Sequence, residues 1–517
     1  MNRSNPGDGN REGEATGGPS WWEIAAGVVG GAAAVGGLIY ALSSSRPGPQ
    51  TASTQSPRPS PAQTPSPPHT SSDEDDRQSP PSVRSSSVTT AARYLYSLLD
   101  YIPESATTIP YSSIPENPVI TNLNSLLDDI YVRYVALKNE DFNLYFGVFS
   151  QLFDKLQAEM KLVDKYYNKY SSRKQFAGSH FDGLRIKRPD EFDMDIVIGL
   201  PLNFRADPSG HDDIALQPLA PGYVQLKLGQ QFRRLPQRDA ADWLVNRTAY
   251  EWKDDKDFLL RNKFIDWFKS VVHRALNRFE DEGRGRKIIR IDGVPYTIRT
   301  TESGPAITFI VENASRDFKL DVDFVPALKF PEARWPICRG YRAVPPGCAG
   351  QDFMLVPKPN KAAACVWDET RCWRIAMHDQ EKKLMYNLSN LKPTLRLLKK
   401  LRDAQGMDKI ASYYIKTIFF WEILARPFDS AFWKQGRGTL FKIMVERLYE
   451  CVNKGEILYL WNTDLNLLGQ VNRATLNGYA AKLQCLMRVL QDPSQYKLVA
   501  RYLLTPEEQR AYARFLI

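Results

Sequence analysis

Glu191-Phe-Asp193-Met-Asp195-Ile-Val-Ile places a carboxylate at every second position ahead of an apolar run. Side chains alternate along a β-strand, so Glu191, Asp193 and Asp195 share one face while Phe192, Met194, Ile196 and Ile198 share the other. Like charges at adjacent same-face positions repel unless a cation neutralises them. Far downstream, Lys319-Leu-Asp321-Val-Asp323-Phe repeats the device. If the two strands pair, three or four carboxylates converge. Such oxygens suit Mg²⁺ (or Mn²⁺), which takes a few carboxylates, waters and substrate phosphates. Two such ions clamp the attacking and leaving oxygens of a phosphoryl transfer. Upstream, Gly178-Ser179 reads as lying at a helix end, where small residues let backbone N–H groups and a hydroxyl approach a phosphate.

These residues need elements to hold them. Residues 118–137 and 141–172 have helical periodicity with long apolar faces. A further helical pattern lies around 253–281. Short alternating runs follow at KIIRID, VPYTIRTT, AITFIVE and KLDVDFVPAL, with Asp292-Gly293 and Ser303-Gly304-Pro305 marking turns. From about 383 onward the chain reads as nearly all helix. The sum is a mixed lobe built on a sheet, packed against a helical lobe.

The order of helix, Gly-Ser, Glu-Phe-Asp and Asp-Val-Asp-Phe resembles the cyclic GMP-AMP synthase family, the broader Mab-type nucleotidyltransferases that include the cGAS-like receptors. FMLVPKPNK at 353–361, CWRIAMHDQEKKLM at 372–385, LKPTLRLLKKLRD at 391–403 and ASYYIKTIFFWEI at 411–423 extend the match in order and spacing. The resemblance covers roughly 118–480. It implies an α+β, bilobal nucleotidyltransferase fold: a mixed sheet lobe with a long spine helix, plus a C-terminal helical lobe. It implies that Glu191, Asp193 and Asp323 bind Mg²⁺ and carry catalysis; Asp323 is preferred to Asp321 because two apolar residues follow it. It also implies that Gly178, Ser179, Lys392 and Ser412 contact the triphosphate, that Arg374 and Glu381 contact the nucleotide, and that Tyr413 stacks on a base. Read without the resemblance, Tyr413 is also a possible core aromatic, Lys392 an exposed helix lysine and Arg374 an ion-pair partner. The substrates implied are ATP and GTP, and the product a cyclic dinucleotide (cGAMP-like) signalling to a STING-type receptor.

Two departures stand out. Ala376 and His378 occupy positions where the vertebrate DNA-sensing enzyme has serines. That enzyme's zinc ribbon has no counterpart after 373–385, and no cysteine pair here is CxxC, so no zinc ribbon is expected.

Lys161, Lys165, Lys169 and Arg173 recur every four residues and read as a cationic ridge on one helix, continued by Arg185, Lys187 and Arg188. Phosphate contacts of this kind give sequence-independent, salt-sensitive binding. Duplex RNA is read largely by shape and backbone, which suits such a ridge; lacking the zinc ribbon, the chain resembles the cGAS-like receptors, and that resemblance implies double-stranded RNA rather than DNA as the partner. The charge distribution agrees: residues 1–92 hold six Lys/Arg and eight Asp/Glu, leaving +11 on the remainder of a chain whose formal charge is +9.

Residues 1–20 read as a disordered N-terminus, and 44–92 as a disordered Pro/Ser-rich linker. Between them, Ile24–Leu42 carries no charge, and 21–43 reads as a transmembrane helix flanked by Trp21, Trp22 and Tyr40. The core lobe is expected at 93–330 and the helical lobe at 331–517. Six cysteines in 517 residues are too sparse for a disulfide framework. Together these features suggest a cytoplasmic catalytic domain tethered to a membrane. The rival reading is a membrane-anchored, non-catalytic nucleotide-binding adaptor of the mitochondrial dynamics protein type, which shares the fold, the anchor and the linker.

Overall fold

The computed structural model describes residues 108–177, 182–202, 214–336, 340–360, 366–427 and 429–516. The expected transmembrane segment and linker, and Gly178 and Ser179, lie outside them. Among the described residues no helix is long and apolar enough to cross a membrane.

Two parallel residue pairs, β1 (Thr108–Ile109) and β2 (Leu137–Lys138), lie at the entrance to the fold. The main sheet has eleven strands. They are β3 (Ser171–Ala177), β4 (Glu191–Ile198), β5 (Ile214–Ala220), β6 (Tyr223–Leu228), β7 (Glu280–Gly283), β8 (Arg286–Ile291), β9 (Val294–Ser303), β10 (Ala306–Asn313), β11 (Phe318–Phe330), β12 (Phe353–Val356) and β13 (Cys372–Ala376). Their order is β5-β6-β13-β12-β11-β10-β9-β8-β7, with β4 parallel to β11 and β3 antiparallel to β4. Asp292 and Gly293 both take positive φ, 50° and 79°, which is what a two-residue turn between β8 and β9 demands. The sheet runs past residue 330: β12 and β13 join it through β11 and β6. Both strands are too short to show a period in the sequence.

The helices that position the site are α1 (Leu123–Ile130), α2 (Asn139–Val163), α3 (Lys165–Tyr170), α4 (Ala240–Tyr250), α5 (Arg261–Leu276), α6 (His378–Leu384), α7 (Leu391–Ala404), α8 (Ser412–Ala425) and α9 (Arg437–Lys454). In the long α2, Tyr145, Phe149, Leu152, Leu156 and Met160 recur at helical spacing and are buried. Phe149 stacks on Phe192 at 4.5 Å and Phe153 lies 5.5 Å from Phe324. The apolar faces of β4 and β11 are thus covered by α2, each buried ring contributing about 1.5–3 kcal/mol. Their carboxylate faces are left to point the other way. α8 is buried on all sides from Ile415 to Glu422 and forms the centre of the helical lobe. The N-terminal α1 packs on that lobe as well, where Asn124 Oδ1 accepts from Gly438 N at 2.7 Å and Arg437 meets Asp128 at 2.6 Å.

The cationic ridge does not form. α2 stops at Val163; Asp164 adopts an extended conformation (φ −144°, ψ 118°) and caps α3 by accepting from Tyr167 N at 2.8 Å. Arg274 of α5 holds the same carboxylate at 2.7 Å. A short polar side chain that can bond the next turn's N–H groups breaks a helix and starts another. Lys161 therefore lies on α2, Lys165 and Lys169 on α3, and Arg173 on β3. β3 (Ser171–Ala177) follows directly on α3.

Candidate active site

Parallel pairing of β4 with β11 sets Glu191 opposite Asp321 and Asp193 opposite Asp323. One oxygen from each of Glu191, Asp193 and Asp323 lies within 4.8 Å of the others. Asp321 stands apart, its Oδ2 3.7 Å from Lys319 Nζ. Asp195 is buried farther along β4, its Oδ2 3.0 Å from His378 Nε2 at the start of α6. Burial alone would lower the His378 pKa, but the Asp195 carboxylate outweighs it and holds the ring above its ordinary value.

Asp323 is aimed by Thr308 on the neighbouring β10, whose Oγ1 donates to it at 2.5 Å. Burial, then the charges of Glu191 and Asp323, push Asp193 up to about 7. Burial likewise raises Asp323, against the Thr308 hydrogen bond. Three hard oxygen donors that keep one member protonated near neutrality fit a divalent cation such as Mg²⁺ or Mn²⁺, whose charge would relieve the repulsion.

Glu191 and Asp193 open onto a cleft of about 1680 Å³ between the sheet lobe and the helical lobe. Arg374 lies in its wall with its guanidinium 5.1 Å from the Tyr223 ring and 4.7 Å from the Tyr459 ring. Gly222 has φ +78°, and a Cβ there would come within 2.6 Å of Arg374 Nη1, so this glycine makes room for the arginine. No carboxylate among the described residues forms an ion pair with Arg374. The planar cation, the two tyrosine rings and the carboxylates of Glu191 and Asp193 thus line one cleft.

Residues 180–387 match the family described as the Mab-21 protein nucleotidyltransferase domain, and 390–485 match the Mab-21 protein HhH/H2TH-like domain. The chain belongs to the Mab-21 nucleotidyltransferase family. It is similar to a cyclic GMP-AMP synthase-like receptor of Ctenocephalides felis, 29% identical over 398 residues, covering 76% of this chain and 90% of the relative. One from Tribolium castaneum is 28% identical over 397 residues, 75% of this chain and 94% of the relative. Cyclic GMP-AMP synthase-like receptor 1 of Drosophila melanogaster is 25% identical over 360 residues, 68% and 87%.

Within this Mab-21 nucleotidyltransferase the other expected contacts fall in different settings. Glu381 lines the cleft but is buried, accepting from Tyr413 Oη at 2.7 Å, Trp461 Nε1 at 3.1 Å and Lys416 Nζ at 2.8 Å. Tyr413 lines the cleft too, its ring 6.2 Å from Tyr459. Ser412 opens α8, and its Oγ accepts from Arg402 Nη1 at 2.8 Å. Lys392, near the start of α7, is half-buried and is not among the cleft-lining residues; burial lowers its pKa.

Arg185 faces inward, contrary to its expected place on an RNA surface: it bonds Glu191 and Asp190, and its Nε donates to Arg188 O at 3.1 Å. The carboxylates attract the nearest cation of the loop. Lys187 and Arg188 stay exposed at the cleft mouth. Lys169 is paired with Asp242 of α4 at 2.8 Å.

Sequence reading missed Lys416, which is buried and bonds both Asp182 (2.6 Å) and Glu381 (2.8 Å). The two carboxylates overcome burial and hold its pKa above the usual lysine range. Lys416 stands one helical turn after Ser412, a spacing visible in ASYYIKT. Its partner Asp182 carries no comparable signal. Thr308, Tyr223, Tyr459, Lys399 and Arg402 were missed as well, because each reaches the site through pairing or packing between segments far apart in sequence.

Proposed function

We propose that this chain joins ATP and GTP into a cyclic dinucleotide (cGAMP-like) in response to nucleic acid, double-stranded RNA rather than DNA. The observation that carries the reading is the convergence of Glu191, Asp193 and Asp323 on a cleft with a guanidinium held between tyrosine rings. These three residues would hold Mg²⁺ or Mn²⁺. When bound, the ions lower the pKa of a ribose hydroxyl and stabilise charge at the α-phosphorus as pyrophosphate leaves. Asp323, aimed by Thr308, orients the attacking hydroxyl or accepts its proton. Arg374 presents a flat cationic surface to a base. Gly178, Ser179 and Ser412 contact the triphosphate in this reading. The relatives bear the name cyclic GMP-AMP synthase-like receptor, which supports the product class; in this reading the product signals in innate immunity through a STING-type receptor. Segment 21–43 would tether a cytoplasmic catalytic domain to a membrane.

The test is incubation of the full chain with labelled ATP, GTP and Mg²⁺, with and without duplex RNA or DNA. A cyclic product that disappears in Glu191→Ala/Asp193→Ala supports the enzyme. The apolar segment 21–43 favours the second reading, a membrane-anchored adaptor; nucleotide binding without turnover under every activator would establish it instead.

A further inference from the structure

The family resemblance implies a nucleotide contact for Glu381, but its side chain is only 5% exposed and its oxygens are already engaged. Oε1 accepts from Tyr413 Oη at 2.7 Å and from Trp461 Nε1 at 3.1 Å, and Oε2 accepts from Lys416 Nζ at 2.8 Å. A carboxylate has about four acceptor positions, so little is left for a ligand. Tyr413 and Lys416 stand one turn apart on α8 and reach the same carboxylate from one helix face. Lys416 also bonds Asp182 at 2.6 Å, so the loop before β4 helps to fix the position of Glu381. Burial, then the Glu381 charge, hold the Tyr413 hydroxyl well above its ordinary pKa, and it stays a donor. The ring that this bond anchors lines the cleft. It lies 6.2 Å from the Tyr459 ring, which in turn is 4.7 Å from the Arg374 guanidinium. A tyrosine ring turns about two side-chain bonds, and a hydroxyl tied to a buried carboxylate restrains both.

We propose that Glu381 is a positioning residue that touches no ligand: held by Lys416 and Trp461, it fixes Tyr413 so that the ring stands ready as a stacking surface for a nucleotide base. The inference rests on the reading of the cleft as a nucleotide site. It differs from direct recognition by Glu381 in what it selects. A ring face attracts adenine and guanine alike, whereas a carboxylate in contact with a base would tell their edges apart.

The test uses the full chain, Mg²⁺ and non-hydrolysable ATP and GTP analogues, with ribose 5-triphosphate as the base-free control, by calorimetry. The readout is the affinity of each analogue relative to the control, a ratio that loss of folded protein alone does not move. Tyr413→Leu is expected to lower the ratio by about 5- to 100-fold for both analogues, the scale of one stacked base. Tyr413→Phe keeps the ring and loses only its anchor, and is expected to lower it by about 2- to 10-fold, the scale of ordering one freed side chain. Glu381→Gln should do no more than Tyr413→Phe, and the double variant should match Tyr413→Phe within about twofold, because Glu381 acts through that hydroxyl. A further loss in the double variant, or a changed preference between the ATP and GTP analogues in it, makes Glu381 a direct base contact and overturns the proposal. Should Glu381→Gln not fold, the tyrosine variants decide: a loss in Tyr413→Leu with none in Tyr413→Phe leaves the Glu381 bond a structural one and equally overturns it. If the unaltered chain binds ribose 5-triphosphate as tightly as the analogues, the ring is no base surface and the proposal fails while a triphosphate site survives. If it binds none of the three, the nucleotide reading of the cleft falls with it.

Discussion

Along β4 and β11 the backbone keeps its two-residue repeat without interruption, whereas between Lys161 and Arg188 it passes from helix to helix to strand to loop. In the first region charge spacing became charge geometry: Glu191 and Asp193 lie on one face beside Asp323. In the second, an even four-residue spacing of cations was divided among α2, α3 and β3, because Asp164 broke the helix, while Asp242 drew Lys169 away and Glu191 drew Arg185 from the loop that follows. A periodic pattern predicts a surface only where nothing in it competes for the backbone. Carboxylates on a strand leave the backbone alone; an Asp inside a helical pattern does not.

The largest effect should come from splitting the acidic pair that the sequence presents as equivalent. Asp323→Asn is expected to cut product formation by about a thousandfold, the several kcal/mol that metal-held charge supplies, and to weaken Mn²⁺ binding measured by electron paramagnetic resonance. Asp321→Asn should keep activity within a few-fold. Similar losses in both would mean that the register of β4 on β11 is not what selects the ligand.

Next comes the cation that repeats show least. Lys416→Ala leaves Asp182 and Glu381 buried without their partner, so denaturant unfolding should show a loss of about 3–5 kcal/mol. A loss below about 1 kcal/mol would show that water reaches the pair and that the lobes are not tied there.

Asp193 gives a pH-dependent contrast. Its folded pKa is raised above that of an unfolded aspartate, so its contribution is fully present below about pH 4 and is lost as pH rises through about 7. With a chelator present, the melting temperature of Asp193→Asn should gain on the unaltered protein across that window. Mn²⁺ should reverse the order at neutral pH by stabilising only the protein with the intact triad. A difference between the two proteins that does not change with pH would remove charge repulsion from the account of this site.

The smallest effect should be at the would-be ridge. Lys187→Ala/Arg188→Ala is expected to lower duplex RNA affinity and to reduce the salt slope by about two, one for each phosphate contact. Lys169→Ala, whose charge Asp242 already answers, should change it less and leave the melting temperature unmoved. Equal effects of all three lysine and arginine sites would restore the continuous ridge as the RNA surface.

Much of the fold was legible because period carries through packing: the apolar alternation of Phe192 to Ile198, and the helical run from Tyr145 to Met160, are the two surfaces that pack together. The triad was legible for the same reason, helped by family likeness in choosing Asp323. Partner choice was not. Which acid meets Lys416, which tyrosines enclose Arg374 and which carbonyl takes Lys399 depend on distances closed by chain segments from 35 to 234 residues apart, and residue type alone does not rank those options. The amino-acid order by itself settled the strand faces, the helical lobe and the acidic chemistry, since these follow from side-chain direction within single elements. Only the tertiary structure decided which cations stand free, because neutralisation depends on who is near, and nearness is a property of the folded chain.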